Sequence, residues 1–444
     1  MVIGIGMTKK TVIESGVDAK RIVLALVAIC IVALLLRAGC VYKLGRVLSW
    51  SDERVYFTLG YNIATGHGLS VNDDALGYRP TMFVPPGQAA FVAATFLVFN
   101  PILPDEPGKI VVLAKCVLAL IGVLTCLYAC GIAKEITGNP RVGVVAALGS
   151  AIYPAHVYAS STLYPIVLLT FFCAAAAYYC LRAKNGTKTN LSAALAGFCI
   201  GLAALTAAYE LVIAPLAALW LIGLVRAQWK RRLVPATLLI LATVLTVAPW
   251  MARNYFLFGQ ATISGNLGTC LRLGYFGAKL MPDGRVALLK EAPQSPMAGY
   301  SEAVADARLR AEAIAAIRQN PGHFAKLCLG KFRNFWDGYP HHPITGRQPK
   351  KWMALGQSAS VSTLYICAFL GLIMIPELRR FYGLAALFIF PTLLSCVLTI
   401  STPRYRYPLD TLFIVSAAAV FVAAPQWLKK TQQEDESALH KSTG

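Results

Sequence analysis

Two short stretches carry residue types that do chemistry. In SDERVYFTLGYNIATG (51–66), Asp52, Tyr56, Leu59 and Ile63 recur at i, i+4, i+7 and i+11, one face of a helix that GHG (66–68) brings to a stop. The N-terminal end of a helix favours an ionised carboxylate. Asp52 there either caps the helix or takes a proton from a bound hydroxyl. In STPRYRYPLD (401–410), Arg404 and Arg406 flank Tyr405. The residue before Pro408 is biased towards extended backbone, and an extended 404–407 segment puts both arginines on one side. Two guanidinium forks side by side suit a phosphate or diphosphate. Anchoring to lipid head groups is the other reading of this Arg/Tyr turn.

Further candidates lie between these two. NDDALGYRPTMFVPP (72–86) holds Asp73, Asp74 and Arg79, which read singly as solvated loop charge. APWMARNYFLFG (248–259) places Arg253 directly after an apolar segment. Anion binding explains a basic residue there, and so does snorkelling. Asp52, Glu53, Asp73, Asp74 and His67 are the ligand types available to a divalent metal, which is left open; no other cofactor is indicated.

These residues are positioned by a membrane. The chain has 444 residues, of which 14% are charged, against about 25% in soluble domains. Mean hydropathy is +0.59. The net charge of +20 gathers at the ends of apolar segments. It therefore reads as an orientation signal, and no nucleic-acid partner is expected. The 12 cysteines form no CxxC, and most lie inside apolar runs, where they act as small hydrophobes. LLLRAGC, ending at Cys40, reads as an ordinary helix end because Arg37 stands where a lipoprotein signal wants an aliphatic residue.

Basic loops set the orientation. RAKNGTKTN (182–190) has three Lys/Arg and RAQWKRR (226–232) has four. With KEITGNPR, ELRR and Lys429-Lys430, they fall inside. The turns 153–165 and 206–210, almost free of basic residues, fall outside, and so does the long segment from Arg253 to Trp352. The proline-bounded run 86–104 is short for a ~20-residue crossing and reads as an interfacial or re-entrant helix. SEAVADARLRAEAIAAIRQNPGHFAKLCLGKFRNFW (301–336) reads as two surface-lying helices split at Asn320-Pro321-Gly322.

The result is an all-α polytopic membrane protein of about ten spans, near 21–41, 109–133, 142–157, 163–181, 191–208, 210–226, 235–251, 355–376, 381–400 and 408–426. Its expected organisation is a cytoplasmic N-terminus (1–20), a transmembrane module (21–251) with a first external loop (42–108), a long external loop between spans 7 and 8 (252–354), C-terminal transmembrane helices (355–428) and a polar cytoplasmic tail (429–444).

In this order, SDERVY, PPGQAAFVAATFLVF, LYP (163–165), APWMARNYFLFG, NPGHFAKLCLGKFRNFW and RYRYPLD resemble the GT-C membrane glycosyltransferases. They are most similar to the bacterial family 39-like enzymes related to protein O-mannosyltransferases and lipid A aminoarabinose transferases. The resemblance implies a GT-C fold with a seven-span catalytic module and surface helices after the first span. It also implies a polyprenyl-phosphate-linked sugar as donor and chemistry on the outer face of the bacterial inner membrane. The family's first-loop aspartate maps to Asp52, which would be the general base of an inverting transfer. Arg404, Arg406, Arg253 and Arg79 would serve the donor phosphate, and Glu53, Tyr56, Asp73 and Asp74 the acceptor, be it a lipid, glycan or protein. Two positions depart from the pattern. Ile166 stands where many relatives carry an acid after LYP, and Val84 stands where many carry Lys or Arg before the paired prolines.

Two other classes fit the composition. One is a transporter or flippase of a polyprenyl-linked glycan, and the other is a non-catalytic assembly subunit. Release of polyprenyl phosphate separates the enzyme from both.

Overall fold

The computed structural model describes residues 15–48, 51–73, 77–102, 106–223, 229–288, 300–337 and 351–423. Asp74, the polar C-terminal tail (429–444) and parts of the long external loop, 289–299 and 338–350, lie outside them. The elements run α1 (Ser15–Leu44), α2 (Ser51–Ala64), β1 (Ser70–Asp73), β2 (Gly77–Pro80), α3 (Gly87–Phe99), α4 (Pro107–Thr137), α5 (Pro140–Ile152), α6 (Pro154–Ala159), α7 (Ile166–Lys184) and α8 (Thr189–Thr206). A 3₁₀ turn (Ala208–Val212) leads to α9 (Ile213–Ile222), α10 (Trp229–Phe258), α11 (Leu267–Phe276), β3 (Ala278–Leu280) and β4 (Val286–Leu288). Then come α12 (Glu302–Gln319), α13 (Pro321–Trp336), α14 (Lys351–Met374), α15 (Pro376–Leu398), a second 3₁₀ turn (Pro403–Arg406) and α16 (residues 407–423).

Among the described residues, seven helices are long and apolar enough to cross a membrane: Ala19–Leu44, Pro107–Thr137, Ile166–Lys184, Thr189–Thr206, Lys230–Phe258, Phe381–Leu398 and Pro403–Ala423. The other three expected spans coincide with shorter apolar helices, Pro140–Ile152, Ala208–Ile222 and Ser358–Gly371. Alanine fills the interior, with Ala174, Ala175, Ala176 and Ala177 of α7 buried alongside Ala193, Ala196 and Ala203 of α8. Small side chains let helices approach closely where burial in lipid gives no hydrophobic drive. Accordingly α8 packs between α7 and α10, and α4 against α5 and α7.

The run 86–104 folds as α3, which lies against α2. Contact is closest at Gly60, where a Cβ would come within 2.5 Å of Val92 Cγ1. The loop after α2, read above as irregular, is instead a hairpin in which Ser70 pairs with Pro80 and Asp73 with Gly77. The surface helices divide where the sequence places the break. Ser301 Oγ accepts from Val304 N at the start of α12, and Asn320 Oδ1 accepts from His323 N at 3.0 Å to start α13. Asp306 of α12 caps α11 in turn, its Oδ1 accepting from Gly268 N at 2.6 Å.

Orientation has a direct check. On a cysteine-free background, an impermeant thiol reagent added outside is expected to label Asp283→Cys and to miss Thr187→Cys. Labelling at position 187 breaks the topology.

Candidate active site at the start of α2

Asp52 and Arg404 meet although 352 residues separate them: Arg404 Nη2 donates to Asp52 Oδ2 at 3.2 Å. The carboxylate is 43% exposed and the arginine side chain 14%, so the pair forms the floor of an open site. Arg404 lies flat against an aromatic wall, its guanidinium carbon 4.2 Å from the Tyr164 ring centre and 5.5 Å from that of Tyr405. Tyr56, one turn on from Asp52, meets Tyr164 edge-on at 6.3 Å. Burial, with Asp52 adding to it, pushes the Tyr56 phenol far above its ordinary value. Tyr56 therefore keeps its proton as a hydrogen-bond donor.

Glu53 turns the other way, as successive helical residues do at about 100°. It is fully buried, and its Oε2 accepts from Leu163 N at 2.9 Å. Gln88 Nε2 donates to the carbonyl of the same residue at 2.9 Å. Both polar groups of the Leu163 peptide are thus held, one from α2 and one from α3. This fixes Tyr164 where Arg404 needs it. Buried Lys115 of α4 donates to the carbonyls of Gly45 and Val47 at 3.0 and 2.7 Å and ties down the link between α1 and α2. The geometry gives Glu53 a positioning place in the interior, where no acceptor reaches it.

Residues 403–406 form a 3₁₀ turn, contrary to the extended segment expected above. Pro403 presets a helical φ at the start of the turn, and Tyr407 keeps a helical backbone (φ −50°, ψ −38°) against the bias from Pro408. The two arginines consequently diverge. Arg406 is fully buried: its Nε donates to Asp410 Oδ1 at 3.0 Å, and its Nη1 to the carbonyls of Phe335 and Asp337 at 2.7 and 3.0 Å. Tyr153 Oη donates to Asp410 Oδ2 at 2.7 Å. Arg406 thus anchors the turn, and Arg404 alone of the two lies beside Asp52.

Arg253 is also committed to protein. Its Nη1 donates to Thr81 O at 2.8 Å and its Nη2 to Leu69 O at 3.0 Å, with the guanidinium 4.6 Å from the Trp250 ring centre. Glu302 completes the clasp, Oε1 accepting from Thr81 Oγ1 at 2.7 Å and Oε2 from Met82 N at 2.8 Å. Together they pin the β1–β2 hairpin to α10 and α12. Asp73 and Arg79 lie on that hairpin, and Arg79 is exposed. Among the described residues, no group of three or more His, Cys, Asp or Glu is gathered to hold a metal.

The sequence reading missed Tyr164 as a wall of the site and a buried lysine, Lys331, beside the start of the 401–410 segment. Lys331 of α13 is 1% exposed, with Leu398 O at 3.5 Å as its hydrogen-bond acceptor. Burial lowers its ammonium from 10.5 to about 8. Between those values the unfolded chain binds the extra proton, so stability rises with pH across that window. Below pH 8 both states are charged and the burial penalty is fully felt. Lys331→Met is expected to melt higher than wild type at pH 7 and to lose the gain wild type shows between pH 8 and 10. Thermal melts at the two pH values check this.

Residues 101–261 match the Dolichyl-phosphate-mannose-protein mannosyltransferase family. Among solved structures, the chain resembles the archaeal oligosaccharyltransferase AglB from Archaeoglobus fulgidus in complex with an inhibitory peptide and a dolichol-phosphate. The TM-score is 0.58 at 16% identity, covering 95% of this chain and 52% of that one. This chain thus spans about half the length of that oligosaccharyltransferase. ArnT from Cupriavidus metallidurans in the apo state matches with a TM-score of 0.41 at 16% identity, over 92% of this chain and 80% of that one. The same protein bound to undecaprenyl phosphate gives 0.40 at 16%, over 91% and 79%. No curated protein matches the chain in sequence.

Proposed function

We propose that this chain, a membrane protein of the GT-C fold related to the protein O-mannosyltransferases, moves a sugar from a polyprenyl-phosphate donor to an acceptor on the outer face of the bacterial inner membrane. The observation that carries the reading is the contact between Asp52 and Arg404 at the start of α2. One side chain is a base, and the other is a fork for phosphate. The family matched by residues 101–261 takes its name from a dolichyl-phosphate sugar, and the AglB complex holds dolichol-phosphate. Both support a lipid-phosphate donor.

The chemistry follows from the pair. A donor phosphate, which carries its charge into the same guanidinium fork, displaces Asp52 from Arg404. Asp52 is then released to face the acceptor. It takes the hydroxyl proton as the oxygen attacks the anomeric carbon from the side opposite the phosphate. The sugar–phosphate bond breaks, and its electron pair leaves on the phosphate, where Arg404 stabilises the charge. The configuration at the anomeric carbon inverts. In this reading the transmembrane module 21–251 supplies Asp52, and the C-terminal helices supply Arg404.

Arg404→Ala is expected to weaken donor use by about 1.5–3 kcal/mol, the worth of a hydrogen bond to a charged group. Arg404→Lys rescues poorly, because an ammonium has neither the fork nor the flat face that stacks on Tyr164. Polyprenyl phosphate released from candidate donors by the purified protein in nanodiscs measures both. Normal donor kinetics in Arg404→Ala overturn the assignment. No release from any polyprenyl-linked donor by wild type overturns the transferase reading in favour of a transporter or an assembly subunit.

A further inference from the structure

One buried cation touches none of the reacting groups named above. Arg37 lies well inside α1 and is 1% exposed. Its Nη atoms donate to the carbonyls of Ala33, Ala151 and Ser150 at 3.2, 3.0 and 3.2 Å, and approach Cys126 Sγ at 3.9 Å. Its Nε–H finds no partner among the described residues. His156 of α6, 6% exposed, has Nε2 at 2.9 Å from Tyr407 O. A carbonyl only accepts, so Nε2 carries the hydrogen and Nδ1 is left as a bare acceptor. Nδ1 likewise has no partner among the described residues.

A donor and an acceptor, both buried and both unmade, line one cavity. It measures about 10 Å³ and is bounded by Arg37, Gly122, Thr125, His156, Ser160 and Thr170, among others. The space exists because residue 122 is glycine. A Cβ there would come within 2.7 Å of Arg37 Nε and 3.1 Å of Ser160 Oγ. That volume admits one water centre and the walls offer the two to four polar partners a buried water requires.

We propose that this cavity binds a single water molecule, which accepts from Arg37 Nε–H and donates to His156 Nδ1, its second hydrogen going to a wall hydroxyl. A small anion would answer the guanidinium but would meet the lone pair of Nδ1, so the donor–acceptor pattern selects water. The bridge ties the first span to the carbonyl of Tyr407, the residue that follows the Arg404 turn. On the transferase reading above, Arg37 and His156 are thereby positioning residues for Arg404.

The test is solid-state ¹⁵N NMR of the full-length chain, histidine-labelled and in liposomes, with His156 assigned through His156→Gln. The expected spectrum shows a protonated Nε2 and a hydrogen-bonded, unprotonated Nδ1 that receives magnetisation from water, unchanged when chloride is replaced by gluconate. In Gly122→Ala, whose methyl fills the cavity, the water transfer disappears and Nδ1 moves to its unbonded position. A wild-type Nδ1 that is unbonded or protonated, or a signal that depends on chloride, overturns the water site whether or not the chain is a transferase. The positioning role is read separately. Gly122→Ala is expected to raise the KM for the polyprenyl-phosphate donor several-fold with kcat nearly unchanged. An unchanged KM, with the water lost, overturns that role.

Discussion

Asp52→Asn is expected to lower turnover by about 10²-fold or more while the protein still folds and still binds donor. The amide oxygen of asparagine can accept from Arg404 Nη2 as the carboxylate does at 3.2 Å, so the local geometry survives. It cannot take the acceptor's proton. Folding is spared because the Asp52 side chain is 43% exposed, and an exposed ion pair contributes only about 0–1 kcal/mol. Glu53→Ala, which removes the acceptor that glutamine's amide oxygen would keep, makes the contrast. Glu53 is buried and accepts from the Leu163 amide, so its loss is expected in the melting temperature and in the placement of Tyr164. Single-turnover kinetics with labelled donor, alongside thermal melts, distinguish the two. A near-normal chemical step in Asp52→Asn takes the base away from α2 altogether, because its neighbour faces the interior.

Asp410→Ala is expected to be among the most destabilising single changes around the Arg404 turn. The Arg406–Asp410 pair is 0% and 1% exposed at 3.0 Å, and Tyr153 donates to the same carboxylate at 2.7 Å. Removing one partner strands a buried guanidinium, at a cost of about 3–5 kcal/mol. The 3₁₀ turn that presents Arg404 loosens with it, so donor binding falls together with the melting temperature. The double variant Arg406→Met/Asp410→Leu is expected to recover most of the stability, since no charge remains buried. A melting temperature for Asp410→Ala close to that of wild type would show that the pair does not hold the turn.

The outline of the molecule was legible because the membrane writes it directly into composition. Apolar run length marked the long helices, and Ser301 and Asn320 marked the starts of α12 and α13. Asp52 and Arg404 could be singled out because each is a charge beside an apolar segment that the basic-loop count does not explain. Their contact could not be read, since nothing local in the sequence joins positions 352 residues apart. The same limit hid Tyr153 on Asp410 and Glu53 on the Leu163 amide. Arg406 was misread because Pro403 and Pro408 pull the backbone in opposite directions, and only packing decides between them. Arg37 passed as an ordinary helix end because the glycine on α4 that makes room for it leaves no mark in its own neighbourhood. The hairpin at 70–80 was hidden by strands of four residues each, too short for an alternating pattern to register.

The central claim is that Arg404 receives the donor phosphate and thereby frees Asp52. The most direct measurement is a cryo-EM map of the full-length chain in nanodiscs with polyprenyl phosphate bound. The expected map places phosphate oxygens about 2.7–2.9 Å from the Arg404 guanidinium, with the Asp52–Arg404 contact broken and the carboxylate turned towards the open site. Phosphate held elsewhere, with Asp52 and Arg404 still paired, would contradict it.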